Sequence, residues 1–153
     1  MQDDKQIDRR RYSCLTSEID GAYHMAALKC GVSDSAMRIL YTICLYGDQC
    51  LLSDIVHLSG VSKQTINSAL RKLEQQGAVY LEQADGKKKL VCLTAQGKQL
   101  AQRSAMRVLQ MEDEIFDGWS QDDCETFFRL IERFLTAFRQ KVQAMDRSDA
   151  VSP

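Results

Sequence analysis

The chain has 153 residues, of which 44% are apolar, 27% charged and 7% aromatic. That suits one compact domain, or a small domain with oligomerising arms, and argues against a disordered or fibrous protein. A single proline and eight glycines leave few chain breakers, so a mainly helical fold is expected and a many-turned β-sandwich is not. The formal net charge is −1, which speaks against a strongly basic nucleic-acid coat protein, yet the charge is unevenly spread. Residues 62–93 carry Lys63, Arg71, Lys72, Lys87, Lys88 and Lys89 against only Glu74, Glu82 and Asp85. A local excess of this kind is what steers a polyanion.

Met1 to Tyr12 is charged and polar, and no later stretch reaches the roughly 18 uninterrupted apolar residues that a membrane span needs. A cytoplasmic protein without a membrane partner is expected. Cysteines stand at 14, 30, 44, 50, 92 and 124, with no CxxC pair and no closely spaced framework, so they read as free thiols. The two histidines, His24 and His57, lie far apart, and no metal site or cofactor is expected. No Gly-rich phosphate loop, nucleophile elbow or convincingly partnered histidine points to an enzyme.

Met1 to about Arg10 and about Asp146 to Pro153 are expected to be disordered tails. Between them, Leu15, Ile19, Tyr23, Ala26 and Cys30 recur at helical spacing up to Gly31, which predicts a first helix. Ser33 is a candidate N-cap for a second, with Ala36, Ile39, Leu40, Ile43 and Cys44 as its stripe, ending at Gly47. A short third segment carries Leu52, Ile55, Val56 and Leu58. It meets Gly60-Val61-Ser62 and gives way to a helix over Ser62 to Gln76, the pattern of a helix-turn-helix.

In that helix Ile66, Ala69, Leu70 and Leu73 fall on one face. The opposite face therefore displays Lys63, Gln64, Thr65, Asn67, Ser68 and Arg71. Past Gly77 the period becomes two: Val79 to Glu82, a turn at Ala84-Asp85-Gly86-Lys87 and a return over Leu90 to Leu93 predict a hairpin with a cationic tip. Thr94 caps a predicted long helix running to about Asp117. Trp119 then precedes Ser120 and Asp123, which have capping-box spacing. The last helix places Phe127, Ile131, Phe134, Phe138 and Val142 on one apolar seam.

Gly60-Val61-Ser62-Lys63-Gln64-Thr65, Leu73-Glu74-Gln75-Gln76-Gly77-Ala78-Val79, and Asp85 ahead of Leu93-Thr94-Ala95-Gln96-Gly97 together resemble the MarR family of winged-helix transcriptional regulators. The resemblance runs from about Leu15 to Val142. It departs from the family in placing Lys87 where the Asp-x-Arg wing element has arginine, and in a wing about two residues shorter than in many relatives. What it implies is a single MarR-like domain over 1–153, mainly α with a small β-hairpin wing. A winged-helix core would span about 33–94, and dimerisation helices about 12–32 and 95–145.

A helix fits the major groove of duplex DNA, where Gln64 and Asn67 can pair with adenine and Arg71 can reach guanine or phosphate. Ser62, Thr65 and Ser68 can bind phosphate oxygens at the positive end of the helix, and Lys63 belongs to the same face. Lys87, Lys88 and Lys89 would lie against the flanking backbone or the minor-groove edge. The last helix is too apolar on one stripe for water, so a homodimer is expected, with two reading helices about 34 to 36 Å apart on a palindromic operator.

The resemblance further implies a repressor released by a small aromatic or phenolic effector, for which Tyr23, Met25, Met37 and Tyr41 are candidate contacts. Another branch of the family senses peroxide through a thiol. Cys14, close to Arg9-Arg10-Arg11, is the candidate for that chemistry here. A further alternative is a winged helix whose polar helix and lysine hairpin meet an acidic protein rather than DNA.

Overall fold

A computed structural model describes residues 8–145. Residues 1–7 and 146–153, which hold most of the two expected tails, lie outside the described residues. Arg9 and Arg10 are not part of a tail. They begin helix α1 (Arg9–Lys29), whose N-terminus is closed by the Asp8 carboxylate accepting from the Arg11 backbone N–H at 2.9 Å. The residues fall into two compact units, divided between Gln110 and Met111.

In the first unit, α2 (Asp34–Leu45) starts at Ser33, whose hydroxyl accepts from the Ala36 N–H at 3.1 Å. Strand β1 (Gln49–Leu51) leads directly into α3 (Leu52–Ser59), which is followed by α4 (Lys63–Gln75), β2 (Val79–Gln83), β3 (Lys89–Leu93) and α5 (Ala95–Gln102). The expected two-stranded hairpin is thus part of a three-stranded antiparallel sheet of order β1-β3-β2, in which Val91 pairs with Cys50 on one side and Leu81 on the other. Three residues are too short to show alternation in sequence. Only β3, reached through the chain reversal, gives β1 its hydrogen-bond partners.

The core joins Ile39, Leu40 and Ile43 of α2 to Ile55 of α3, Ile66, Leu70 and Leu73 of α4, and Val79 and Val91 of the sheet. Burying the apolar face of a helix this short supplies most of its stability, since isolated helices of such length are marginal.

The expected long helix after Thr94 is instead two helices, α5 and α6 (Ala105–Asp117), separated at Arg103 and Ser104. Ser104 is fully buried, and its hydroxyl donates to the Leu100 carbonyl at 2.6 Å while its N–H reaches back only three residues, to Ala101, at 3.2 Å. A serine that competes in this way for backbone acceptors tightens and bends the helix. The break lies between buried Ala101 and buried Ala105 and Val108.

The second unit takes the end of α6 and all of α7 (Gln121–Gln143). Ser120 caps α7 by accepting from the Asp123 N–H at 3.1 Å. Trp119 packs edge-on against Phe127, with ring centroids 5.2 Å apart, and against Phe116, at 5.3 Å. No residue of α7 is buried.

Candidate nucleic-acid interface

Helix α4 is fixed at both ends and along one side. At its start Ser62 accepts from the Thr65 N–H at 3.2 Å, and its hydroxyl lies 2.8 Å from the Thr65 hydroxyl. Ser62 therefore caps the helix, and only its remaining lone pair and any rearranged hydroxyl are free for phosphate. At its end the Gly77 N–H bonds Glu74 O and the Ala78 N–H bonds Leu73 O, at 3.0 and 2.9 Å, a Schellman closure that needs the positive φ of 73° that Gly77 adopts.

The Leu93-Thr94-Ala95-Gln96-Gly97 element then clamps the wing to this closure. The Thr94 hydroxyl donates to Gly77 O at 2.5 Å and accepts from the Gly97 N–H at 2.9 Å, while the Thr94 N–H donates to Ala78 O at 3.0 Å. The reading helix and the return strand of the wing are consequently one rigid piece.

With Ile66, Ala69, Leu70 and Leu73 buried, the rest of α4 divides into two faces. Lys63, Gln64 and Arg71 point outward and are exposed, with Asn67 half-buried beside them. Thr65, Ser68 and Lys72 instead line an open groove of about 510 Å³, shared with Ser33 and Ala36 at the start of α2 and with Arg103 after α5. The hydrophilic surface expected as one stripe is thus an outer row and a groove-facing row, about a quarter turn apart. Lys72 and Arg103 were not singled out in the sequence, although Lys72 follows Thr65 at the i+7 spacing that would have placed it there.

The wing loop is tight. Ala84 N–H bonds Lys88 O at 2.8 Å, and the Gln83 side-chain amide donates to Gly86 O at 2.6 Å. Lys87 and Lys88 occupy the loop, whereas Lys89 begins β3 opposite Gln83. All three are exposed. Among the described residues the ion pairs are His24–Asp34 and Lys98–Asp48, so the wing lysines, Lys63 and Arg71 keep their charge.

The other candidate residues do not gather in one place. Met37 belongs to the core and Tyr41 packs against it, while Tyr23 and Met25 are exposed on α1; none of the four lines the groove beside α4. Cys14 is exposed, and its thiol lies 3.3 Å from the Glu18 carboxylate, an acid rather than a base. Burial pushes the Cys44, Cys50 and Cys92 thiols up, Cys50 to about 11, with Asp48, Asp54 and Glu82 respectively adding to the rise. Such thiols stay protonated and unreactive at neutral pH. Cys30 and Cys44, expected in the core, are half-buried. Among the described residues no group of three His, Cys, Asp or Glu side chains could hold a metal ion, and no helix is long and apolar enough to cross a membrane.

A helix-turn-helix followed by a cationic antiparallel wing defines a winged helix-turn-helix protein. Residues 31–89 match the model of the MarR family. The chain is 26% identical over 106 residues to an uncharacterized HTH-type transcriptional regulator, YwoH, of Bacillus subtilis, covering 69% of this chain and 77% of that protein. Its fold is that of a MarR family regulator from Neisseria meningitidis, with a TM-score of 0.78 at 16% identity, over 90% of this chain and 98% of the other. It is also similar to S. aureus MepR in a DNA complex, with a TM-score of 0.64 at 17% identity, over 88% and 99% of the two chains. The protein belongs to the MarR family, whose members are transcriptional regulators and not enzymes.

Proposed function

We propose that this protein is a homodimeric repressor that binds a palindromic DNA operator and is released by a small aromatic or phenolic effector. The observation that carries the DNA reading is the outer row of α4, Lys63, Gln64, Asn67 and Arg71, held rigid by the core behind it and followed at once by an unpaired lysine wing. Gln64 and Asn67 read base edges in the major groove. Arg71 and the wing lysines neutralise phosphates.

Two apolar surfaces support the dimer. Leu15, Ile19 and Tyr23 of α1 and Phe134 and Phe138 of α7 are all about half exposed. A contiguous apolar surface of this kind marks an interface in a water-borne protein. A second copy of the chain covers both stripes and sets the spacing of the two reading helices.

The test is a binding titration on duplexes selected from a random-sequence pool, with added salt as the second variable. Sequence-preferred binding that weakens as salt rises is expected, with footprints in two symmetric halves about one helical turn apart. Replacing Lys87, Lys88 and Lys89 together by alanine should weaken all sequences alike and flatten the salt dependence. Binding without sequence preference and without salt dependence would instead indicate a module for another kind of partner.

A further inference from the structure

The direction of α4 is set by the turn before it, residues Ser59 to Ser62, and that turn is held from three sides. Gly60 adopts a positive φ of 66°. The Ser59 hydroxyl donates to Val56 O at 3.1 Å and accepts from the Val61 N–H at 3.2 Å. The third hold comes from another element: Arg38 of α2 donates from Nη1 to the Ser59 carbonyl at 3.0 Å, across 21 residues of chain.

Ser59 is almost fully buried, but Arg38 reaches it from the surface. A guanidinium carries five N–H donors in a fixed fork, so one bond to a carbonyl leaves most of them available. Neither ion pair among the described residues involves Arg38, so its charge is not neutralised there. Ser62, the cap of α4, is three residues beyond Ser59 and so within about 10 Å of it by chain length alone. A free cationic fork therefore stands beside the end of α4 that leads into a groove.

We propose that Arg38 is a positioning residue for DNA recognition that works with two hands. One N–H fixes the turn through Ser59 O, and the remaining donors take a DNA backbone phosphate flanking the N-terminus of α4. The proposal rests on the DNA reading above. It assigns one phosphate contact to a helix that the reading face does not include.

Three variants of the full chain separate the two hands. Arg38→Gln keeps a donor for the Ser59 carbonyl and removes the charge, Arg38→Lys keeps the charge on a single ammonium, and Arg38→Met removes both. Each is titrated against a mixed-sequence duplex several helical turns long, from about 50 to 200 mM salt. One lost phosphate contact lowers the salt slope by about 0.9, so the ratio of parent to Arg38→Gln affinity should shrink three- to fourfold across that range. Arg38→Lys should restore the parent slope, and Arg38→Met should bind more weakly than Arg38→Gln, with the same reduced slope.

A parent slope retained in Arg38→Gln overturns the proposal while leaving the DNA reading intact. An Arg38→Lys slope no steeper than that of Arg38→Gln overturns it too, because a purely structural cap would not depend on charge. A parent that shows no salt-dependent binding removes the DNA reading itself and this proposal with it.

Discussion

Gly97 gives a sharp test of how the reading helix and wing are joined, because two effects oppose each other there. It lies within α5, where replacing glycine by alanine ordinarily stabilises a helix by about 1 kcal/mol. A methyl group at this position would instead drive into the Ala78 backbone, inside contact distance of the carbonyl oxygen, with the carbonyl carbon at 2.8 Å and Cα at 3.3 Å. Carbon atoms prefer about 3.5 to 4.0 Å, so the two segments must part by the better part of an ångström. Backbone on both sides cannot swing away as a side chain would. Parting them also loosens the Thr94 bonds to Gly77 and Ala78, one of them at 2.5 Å. Overpacking of this kind costs about 1 to 3 kcal/mol, and the disturbed bonds add to it, so Gly97→Ala should lose roughly 2 to 3 kcal/mol net despite its helix preference.

Gly21, in the exposed middle of α1 with nothing within 4 Å of an added methyl, is the control. There the same substitution should gain about 0.5 to 1 kcal/mol. Urea unfolding of both variants at one fixed protein concentration measures the difference, since the stability of a dimer varies with concentration. A Gly97→Ala protein as stable as the parent, or more so, would refute the close backbone approach. The rigid link between the reading helix and the wing would fall with it.

Gln64→Ala or Asn67→Ala should each relax base preference and cost about 1 to 3 kcal/mol of binding to the selected duplex, measured by competition titration; unaltered specificity in both would remove the base-reading role. Phe134→Glu with Phe138→Glu should convert the dimer to a single chain in sedimentation, with little loss of helix by circular dichroism because both rings are about half exposed; an unchanged mass would place the interface elsewhere. Alkaline stability follows from Cys50, whose thiol is pushed up to about 11 chiefly by burial. The unfolded thiol ionises near its ordinary value while the folded one holds its proton, so stability is full below about pH 9 and falls as pH rises towards and through 11. Cys50→Ala should flatten that fall in urea titrations across the alkaline range, and an equally steep decline would show that Cys50 does not contribute.

Much of this was already written in local patterns. The period of Ile66, Ala69, Leu70 and Leu73 fixed the buried side of α4, and Ser33, Ser62, Thr94 and Ser120 each cap the helix that the sequence places after them, because capping is settled within a few residues. Tertiary structure decided what depends on distant partners. Strand β1 exists through its pairing with β3, and Ser104 breaks a helix whose apolar spacing continues through it. Thr65, Ser68 and Lys72 turn towards α2 and α5, a division that spacing along one helix could not reveal. Arg38 meets Ser59 across two helices, and Gly97 is needed by Ala78 rather than by its own helix. Periodicity and caps report interactions within a turn or two of chain, whereas strand partners, grooves and clamps form only where the folded backbone brings remote segments to within a bond length of each other's polar atoms.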